Sequence, residues 1–226
     1  MLSVVIPTLN AEAELPRALA ALADAREAGL LEEVLVVDGG SGDGTAALAR
    51  AGGAAVLTAP PGRGRQLSRG GEAAQGEWLL FLHADTAPAA GWAAEAARFM
   101  ATPGNAERAA AFRFALDDAS PGARRLERLV ALRCRWLALP YGDQGLLISR
   151  RLYERLGGFR ALPLMEDVDL ARRLGRRRLC LLQTPAVTSA ARYRRAGYLA
   201  RSLRNAACLG LYLLGVPAAT VARLYG

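Results

Sequence analysis

The sequence predicts an α/β fold in which a mostly parallel, doubly wound sheet is followed by a mixed α+β half and a C-terminal helix pair. Three observations predict it. Residues 3–7 and 33–38 are short β-branched runs closed by turn residues, and 77–82 is a third apolar run of similar length. Ala- and Leu-rich segments with helical spacing lie between them, so strands and helices alternate, which implies right-handed crossovers. After Asp85 that alternation gives way to a less regular order.

Taken in chain order, residues 3–7 form the first strand. Pro16 suits a first helical turn, so residues 8–13 are a loop and a helix occupies about 15–23. Strands at 33–38, 55–58 and 77–82 then alternate with helices at 45–51 and 66–74. In the second half, 89–100 reads as a helix, 109–116 alternates like a strand with one exposed face, and 124–137 is an Arg-studded helix. A short strand at 145–149, helices at 151–156 and 167–174, and a late strand at 178–182 follow. Residues 196–225 read as two helices broken at Gly215-Val216-Pro217.

Composition narrows the class without selecting a function. A chain of 226 residues, 52% hydrophobic and 22% charged, has the makings of one packed domain with an appendage and argues against disorder. The net charge of +8 suits phosphate groups, nucleic acid or an anionic membrane. All 29 basic residues are Arg, a bias that also fits codon usage. No Arg-aromatic array resembles a nucleic-acid module, so no nucleic-acid partner is expected. Cys134, Cys180 and Cys208 are widely spaced, without a C-x-x-C, and read as buried thiols of a reducing compartment. The N-terminus enters a strand directly, with no basic region or cleavage site of an export signal, so a cytoplasmic location is expected. The least polar stretch, 206–216, is shorter than the ~20 residues of a spanning helix. With Arg201, Arg204 and Arg223 around it, it reads as a helix packed on the core or on a second subunit, or as an interfacial membrane helix.

Candidate chemistry collects at the ends of the first three long strands. In an open parallel sheet, ligands bind outside the carboxyl ends of the strands. The first strand ends in Pro7-Thr8-Leu9-Asn10-Ala11-Glu12, the second in Asp38-Gly39-Gly40-Ser41-Gly42-Asp43-Gly44-Thr45, and the third in His83-Ala84-Asp85. Asp38 is placed to accept hydrogen bonds from a base or ribose, while the glycines let backbone approach a ligand. Asp43 fits a ligand contact and a helix cap equally. Asp85 is a strand-end carboxylate suited to a hard Mg²⁺ or Mn²⁺ that fills its sphere with phosphate oxygens and water. His83 reads as a hydrogen-bonded loop residue or as part of that site. Arg63 and Arg65 lie in a Pro- and Gly-shaped loop before a helix, and Arg65 is the expected anion contact. Glu166-Asp167 opens a helix and offers a rigidly held carboxylate for proton abstraction. Asp169 faces elsewhere and serves the helix N-terminus. Gly142-Asp143-Gln144 adds a polar loop.

With those motifs in their order, the chain resembles the family 2 glycosyltransferases of the GT-A fold over residues 2–195. Val4-Val5-Ile6-Pro7-Thr8-Leu9-Asn10 resembles the family's opening, residues 36–45 its nucleotide loop, and Glu166-Asp167 its catalytic-base motif. In length and ending the chain is similar to the small stand-alone radical-SAM/selenodomain-associated transferases. The resemblance implies transfer of a single sugar, with inversion, from a nucleoside diphosphate sugar to a hydroxyl acceptor, and a divalent cation, Mn²⁺ or Mg²⁺. It implies donor contacts from Pro7, Thr8, Asn10, Glu12, Asp38, Ser41, Asp43, Arg65 and Asp85, with Asp85 meeting the metal-diphosphate. Asp167 is implied as the general base, with Asp143, Gln144 and Glu166 on the acceptor side. Residues 1–195 would form the transferase domain, 1–88 its nucleotide-binding half and 89–195 its acceptor half. Residues 196–226 would be a helical appendage able to contact a membrane surface or a second copy.

Two departures accompany the resemblance. Where the family usually shows Asp-x-Asp, this chain has His83-Ala84-Asp85, and one carboxylate fewer weakens metal binding by the protein alone. The Gln-x-x-Arg-Trp element of processive synthases is missing, which implies single-sugar transfer. Arg192, Arg194 and Arg195 remain available to phosphate or to solvent.

Three other functions compete. Gly42-Asp43-Gly44-Thr45-Ala46-Ala47 satisfies a G-x-G-x-x-A fingerprint, yet no carboxylate lies between Asp43 and Glu72 to meet a dinucleotide ribose. A nucleotidyltransferase would carry a Gly-rich loop after the first strand, and residues 7–12 contain no glycine. A catalytically degenerate sensor of nucleotide sugars is motivated by the altered metal motif and opposed by Glu166-Asp167.

Overall fold

The computed structural model describes residues 1–225. A single eight-stranded sheet has the order β3-β2-β1-β4-β7-β6-β8-β5. Its first half is parallel: β1 (Leu2–Thr8) pairs with both β2 (Leu31–Asp38) and β4 (Trp78–Phe81), and β2 pairs with β3 (Ala55–Thr58). In its second half β7 (Leu146–Ser149) runs antiparallel to β4 and to β6 (Ala109–Leu116). Strand β8 (Leu179–Thr188) is parallel to β6 and antiparallel to the edge strand β5 (Thr86–Pro88).

Both faces of the parallel half are covered, as alternate residues of β1 and β2 require. Val4, Ile6, Val34 and Val36 point to one layer, under α1 (Leu15–Ala20), α3 (Thr45–Ala51) and α5 (Trp92–Ala101). Val5, Leu35 and Val37 point to the other, under α4 (Arg63–Ala73). Full burial of each such side chain contributes about 1.5–3 kcal/mol. These β-branched runs are apolar because each of their two faces meets a core.

Helix α4 contains three glycines, which weaken a helix by about 1 kcal/mol each relative to Ala. Close packing accounts for all three, and Gly70 sets the contact with the sheet. A Cβ on Gly70 would lie 2.3 Å from Val5 Cγ1 and 3.0 Å from Val37 Cγ2, so only glycine lets α4 sit down on β1 and β2. That depth brings Gln66 to the strand ends, where its Nε2 donates to the carbonyls of Thr8 at 2.6 Å and Val37 at 2.8 Å.

Several elements differ from the sequence reading. Strand β6 is buried apart from Arg113, with Trp92 packed on Phe112 and Ala123, Leu126 and Val130 packed with Phe114 and Leu116. Strand β8 continues past Pro185 to Thr188, the proline falling where the β6–β8 register shifts and no ladder donor is needed. Strand β5 is three residues long, too short for a periodic signal, and is defined by its pairing with β8. Helix α4 begins at Arg63, three residues earlier than its pattern suggests. Cys134 and Cys208 are buried and Cys180 is partly buried, all three as free thiols.

The remaining helices are α2 (Ala23–Glu27), α6 (Pro121–Leu137), α7 (Arg150–Arg155), α8 (Glu166–Leu174), α9 (Ala191–Ala196), α10 (Tyr198–Leu213) and α11 (Ala218–Tyr225). Cys208 and Leu209 of α10 and Val221 of α11 pack with Met165, Val168 and Ala171 at the start of α8. The C-terminal helices therefore rest on the segment that carries Glu166-Asp167.

Candidate active site

The loops after β1 and β2 are zipped together by side chains that the sequence reading assigned to a ligand. Asp38 is buried and accepts from the Gly40 and Ser41 amides at 3.1 and 2.9 Å and from Thr8 Oγ1 at 3.2 Å. These donors, with the Ser41 hydroxyl, hold its carboxyl below the usual range against the opposing effect of burial. Asn10, at φ +50, accepts from the Gly42 amide at 2.9 Å, and its own amide donates to Ser41 Oγ at 2.8 Å. Glu12 accepts from the Gly44 amide at 3.0 Å, while Asp43 caps Thr45 at 3.0 Å and takes the Glu12 amide at 3.2 Å. Asp38, Ser41, Asp43 and Glu12 thus build the loop pair, and Pro7, Thr8 and Asn10 face the groove that it borders.

That groove, about 370 Å³, runs along the carboxyl end of β1. Besides Pro7, Thr8 and Asn10 it is lined by Arg63, Gln66, His83, Asp85 and Arg192. Arg65 is exposed and borders neither this groove nor the cavity beside it. Helix phase explains the difference. Because α4 starts at Arg63, Arg63 and Gln66 share the face toward the sheet edge, and Arg65 lies on the other side.

A second cavity, about 110 Å³, adjoins the groove and shares Arg63, His83, Asp85, Leu164 and Arg192 with it. Asp143, Glu166 and Asp167 border the second cavity and not the groove, together with Arg201, Asn205 and Tyr225 from the C-terminal helices. Asp85 stands where the two meet. Its backbone carbonyl takes the Ser189 amide at 3.1 Å, which fixes the start of β5 beside the end of β8 and brings Arg192 to 4.0 Å from its carboxylate.

Asp167 is held by backbone at both oxygens. Oδ2 accepts from the Gly142 amide at 2.8 Å and Oδ1 from the Val168 amide at 2.7 Å. The helix that carries it starts from Met165 in the left-handed region, φ +65, a conformation costing about 1–3 kcal/mol in a non-glycine residue and concentrated at functional sites. Glu166 is buried, 3.5 Å from Arg63, and burial together with Asp167 raises its carboxyl, Arg63 opposing. Burial likewise pushes Asp143 up to about 6, Arg133 opposing and Asp167 and Asp85 adding to the rise. Asp167 therefore lies beside two carboxyls whose affinity for a proton burial has raised.

Other candidates have structural posts. Gln144 turns inward, donating to the Phe112 carbonyl at 2.9 Å and accepting from Arg133 at 3.2 Å, and borders neither cavity. Asp169 pairs with Arg160 at 3.0 Å and Arg173 at 2.6 Å, anchoring α8 to the preceding loop rather than serving its N-terminus. His83 packs against Gly142, where a Cβ would fall 2.2 Å from Nε2. Burial and the nearby guanidiniums of Arg63 and Arg192 hold its imidazole well below its ordinary range, so it is neutral. Arg201, Asn205 and Tyr225 escaped sequence reasoning because nothing in a helical pattern at the chain's end shows which site it covers. Arg63 was legible as half of a pair.

Among the described residues no three His, Cys, Asp or Glu side chains are grouped to hold a metal. One hard carboxylate, Asp85, at the mouth between groove and cavity fits a hard cation that takes its other ligands from a diphosphate and water.

Residues 3–162 match the profile of the family described as glycosyl transferase family 2. No curated protein matches the chain in sequence. Solved structures with the same fold include glucosyl-3-phosphoglycerate synthase from Mycobacterium tuberculosis in complex with Mn²⁺ and UDP-glucose. It is 22% identical, with 96% of this chain and 80% of that one covered and a TM-score of 0.67. The same protein with Mn²⁺, UDP and glucosyl-3-phosphoglycerate is 22% identical over 96% and 81%, TM-score 0.66. With Mg²⁺ and UDP it is 24% identical over 96% and 80%, TM-score 0.66.

Proposed function

This chain belongs to glycosyl transferase family 2, and on that premise we propose that it moves one sugar, with inversion, from a nucleoside diphosphate sugar to a hydroxyl acceptor. One observation carries the reading: a strand-end groove and a second cavity meet at Asp85, and Asp167 faces only the second. Such an arrangement separates donor from acceptor and leaves a single place for the reacting atoms. The complexes of the structural neighbours with UDP-glucose, Mn²⁺ or Mg²⁺ and glucosyl-3-phosphoglycerate support a nucleotide-sugar donor, a divalent cation and a hydroxyl acceptor.

In this reading Pro7, Thr8, Asn10 and Gln66 shape the nucleoside end of the groove, and the Asp38–Ser41 and Glu12–Asp43 contacts keep its rim in place. Arg63 and Arg192 face the diphosphate. Asp85 would hold Mn²⁺ or Mg²⁺, which supplies neutralisation of the charge developing on the departing diphosphate. Asp167 takes the proton of the acceptor hydroxyl as that oxygen attacks the anomeric carbon opposite the leaving group. Its backbone hydrogen bonds set its orientation. A cavity of about 110 Å³ suits a small acceptor and supports transfer of a single sugar. As a finer part of this proposal, the chain stands beside the small stand-alone radical-SAM/selenodomain-associated transferases.

In this division residues 1–88 line most of the donor groove, 89–195 carry the base, and Arg201, Asn205 and Tyr225 of the C-terminal helices border the second cavity. Among the described residues no helix is long and apolar enough to cross a membrane. Helix α6 exposes Leu129, Leu132 and Trp136 on one stripe with Arg125 and Arg128 beside them. Apolar and basic side chains on one face fit an anionic membrane surface, and that cytoplasm-facing surface is the peripheral partner we propose.

The test is thermal stabilisation by nucleoside diphosphates and their sugars, with and without Mn²⁺, followed by a transfer assay. A ligand of the folded state at 100 times its Kd stabilises by about 2.7 kcal/mol, so one nucleobase should stand out. If none raises the melting temperature, the reading fails. Donor binding without transfer or hydrolysis across varied acceptors would point instead to a sensor of nucleotide sugars.

A further inference from the structure

Three buried polar side-chain atoms among the described residues lack a hydrogen-bond partner: Asp143 Oδ1, Arg201 Nε and Asn205 Oδ1. All three residues border the same cavity, the one that Asp167 faces. Buried polar atoms are almost always paired, and three orphans around one void mark a place where a polar ligand completes the set. Their polarities differ. Arg201 Nε is a cationic donor, whereas the two oxygens accept.

Arg201 has a fixed setting. Its Nη2 donates to Tyr225 Oη at 3.2 Å, and its guanidinium lies 5.3 Å from the centre of the Tyr193 ring. Neither contact neutralises its charge, and among the described residues Arg201 forms no ion pair. Arg63 and Arg192, the other guanidiniums on the cavity, are paired with Glu166 and Asp85. Asn205 follows Arg201 by one helical turn, so the two project from one face of α10.

A neutral alcohol would satisfy Asn205 and Asp143 and leave the guanidinium alone. A bare anion would satisfy Arg201 and leave both oxygens unpaired. We infer that this cavity is the acceptor subsite for a small hydroxylated anion, whose oxyanion binds Arg201 and whose hydroxyl groups donate to Asn205 and Asp143. The inference rests on the glycosyl-transfer reading and extends it to the class of acceptor. Size agrees: a cavity of about 110 Å³ that opens toward the groove admits a small molecule. The residues that select the acceptor, Arg201 and Asn205, lie outside the span matched by the family profile, so a C-terminal helix carries the specificity of this chain.

Calorimetry on the full chain, loaded with its stabilising nucleoside diphosphate and Mn²⁺, tests this with glycerol 3-phosphate, glycerate and uncharged glycerol as probes. The anions should bind and glycerol should bind at least tenfold more weakly. Arg201→Gln should lose at least tenfold in anion affinity, Arg201→Lys should recover much of it, and Asn205→Ala should lose severalfold, all with unchanged nucleotide affinity. The charge-retaining variant separates recognition from a merely structural role, and Asn205→Ala carries the test if Arg201→Gln does not fold. Nucleotide binding without anion binding by the wild type overturns this inference alone, as does anion affinity indifferent to both positions. Absence of nucleotide binding by the wild type overturns the glycosyl-transfer reading instead. Binding of the phosphate only when it is displayed on phosphatidylglycerol vesicles would overturn the small-molecule assignment.

Discussion

The amide of Gly142 donates to the carboxylate of Asp167 at 2.8 Å, which ties the turn bearing Asp143 to the first turn of α8. Two segments 25 residues apart are thereby joined on the wall of the second cavity. A second backbone donor, Val168, fixes the other oxygen.

Asp167→Asn keeps the shape and one acceptor oxygen but removes the base. Turnover should fall about 10²–10⁴-fold, the usual contribution of a positioned general base, while nucleotide affinity stays within twofold. Wild-type transfer by this variant would remove Asp167 from that role.

Gly142→Ala places a methyl group 2.2 Å from His83 Nε2, so either the imidazole or the turn must shift. A displacement near 1 Å at the reacting groups costs on the order of 10²-fold. Steady-state kinetics should record a drop in kcat of about that size. Unchanged kinetics would mean that the turn does not position Asp143 and Asp167.

Gly70→Ala tests the seat of α4 on the sheet, because its Cβ would lie 2.3 Å from Val5 Cγ1. Overpacking of this kind costs about 1–3 kcal/mol, and each kcal/mol lowers the melting temperature of a chain this size by about 2–4 °C. A variant as stable as the wild type would show that the helix can rise without loss.

Asp143 has its carboxyl raised to about 6 in the folded chain by burial, above the ordinary 3.8. The folded state therefore binds this proton more tightly than the unfolded state does. Its contribution to stability is fully present below about pH 4 and is lost as the pH rises through 6. Relative to the wild type, Asp143→Asn should raise the melting temperature at pH 7.5 and leave it little changed at pH 4.5. The opposite ordering across that window would contradict the buried setting of the carboxyl.

The exposed stripe of Leu129, Leu132 and Trp136 on α6 should bind anionic vesicles and release them as salt rises. Trp136→Ser should weaken co-sedimentation with those vesicles severalfold without altering the melting temperature. Dimerisation of the free chain through this face, with no vesicle binding, would assign it to a second copy instead.

The parallel half of the fold was legible because its signals are local. Each of β1, β2 and β4 is a β-branched or apolar run closed by turn residues, and each is buried on both faces as such runs require. Strand β5, three residues long, has no period of its own and exists by virtue of Ala186–Thr188 beside it. The exposed-face reading of β6 failed for a related reason: its Ala and Phe alternation does not state which distant helices pack over it.

The strand ends themselves, with Thr8, Asn10, Asp38 and Asp85, are written in the chain, since backbone direction delivers the end of each parallel strand to one edge of the sheet. What each side chain does there is not. Asp38 and Asp43 satisfy neighbouring amides, Arg63 rather than Arg65 meets the groove by the phase of α4, and Arg201 and Asn205 reach the second cavity from nearly 200 residues past the first strand. Sequence by itself determined most of the elements, their order and the family, because periodicity and turn chemistry act over a few residues. Only the tertiary structure decided which charges remain unpaired, because pairing depends on distances between segments far apart in the chain.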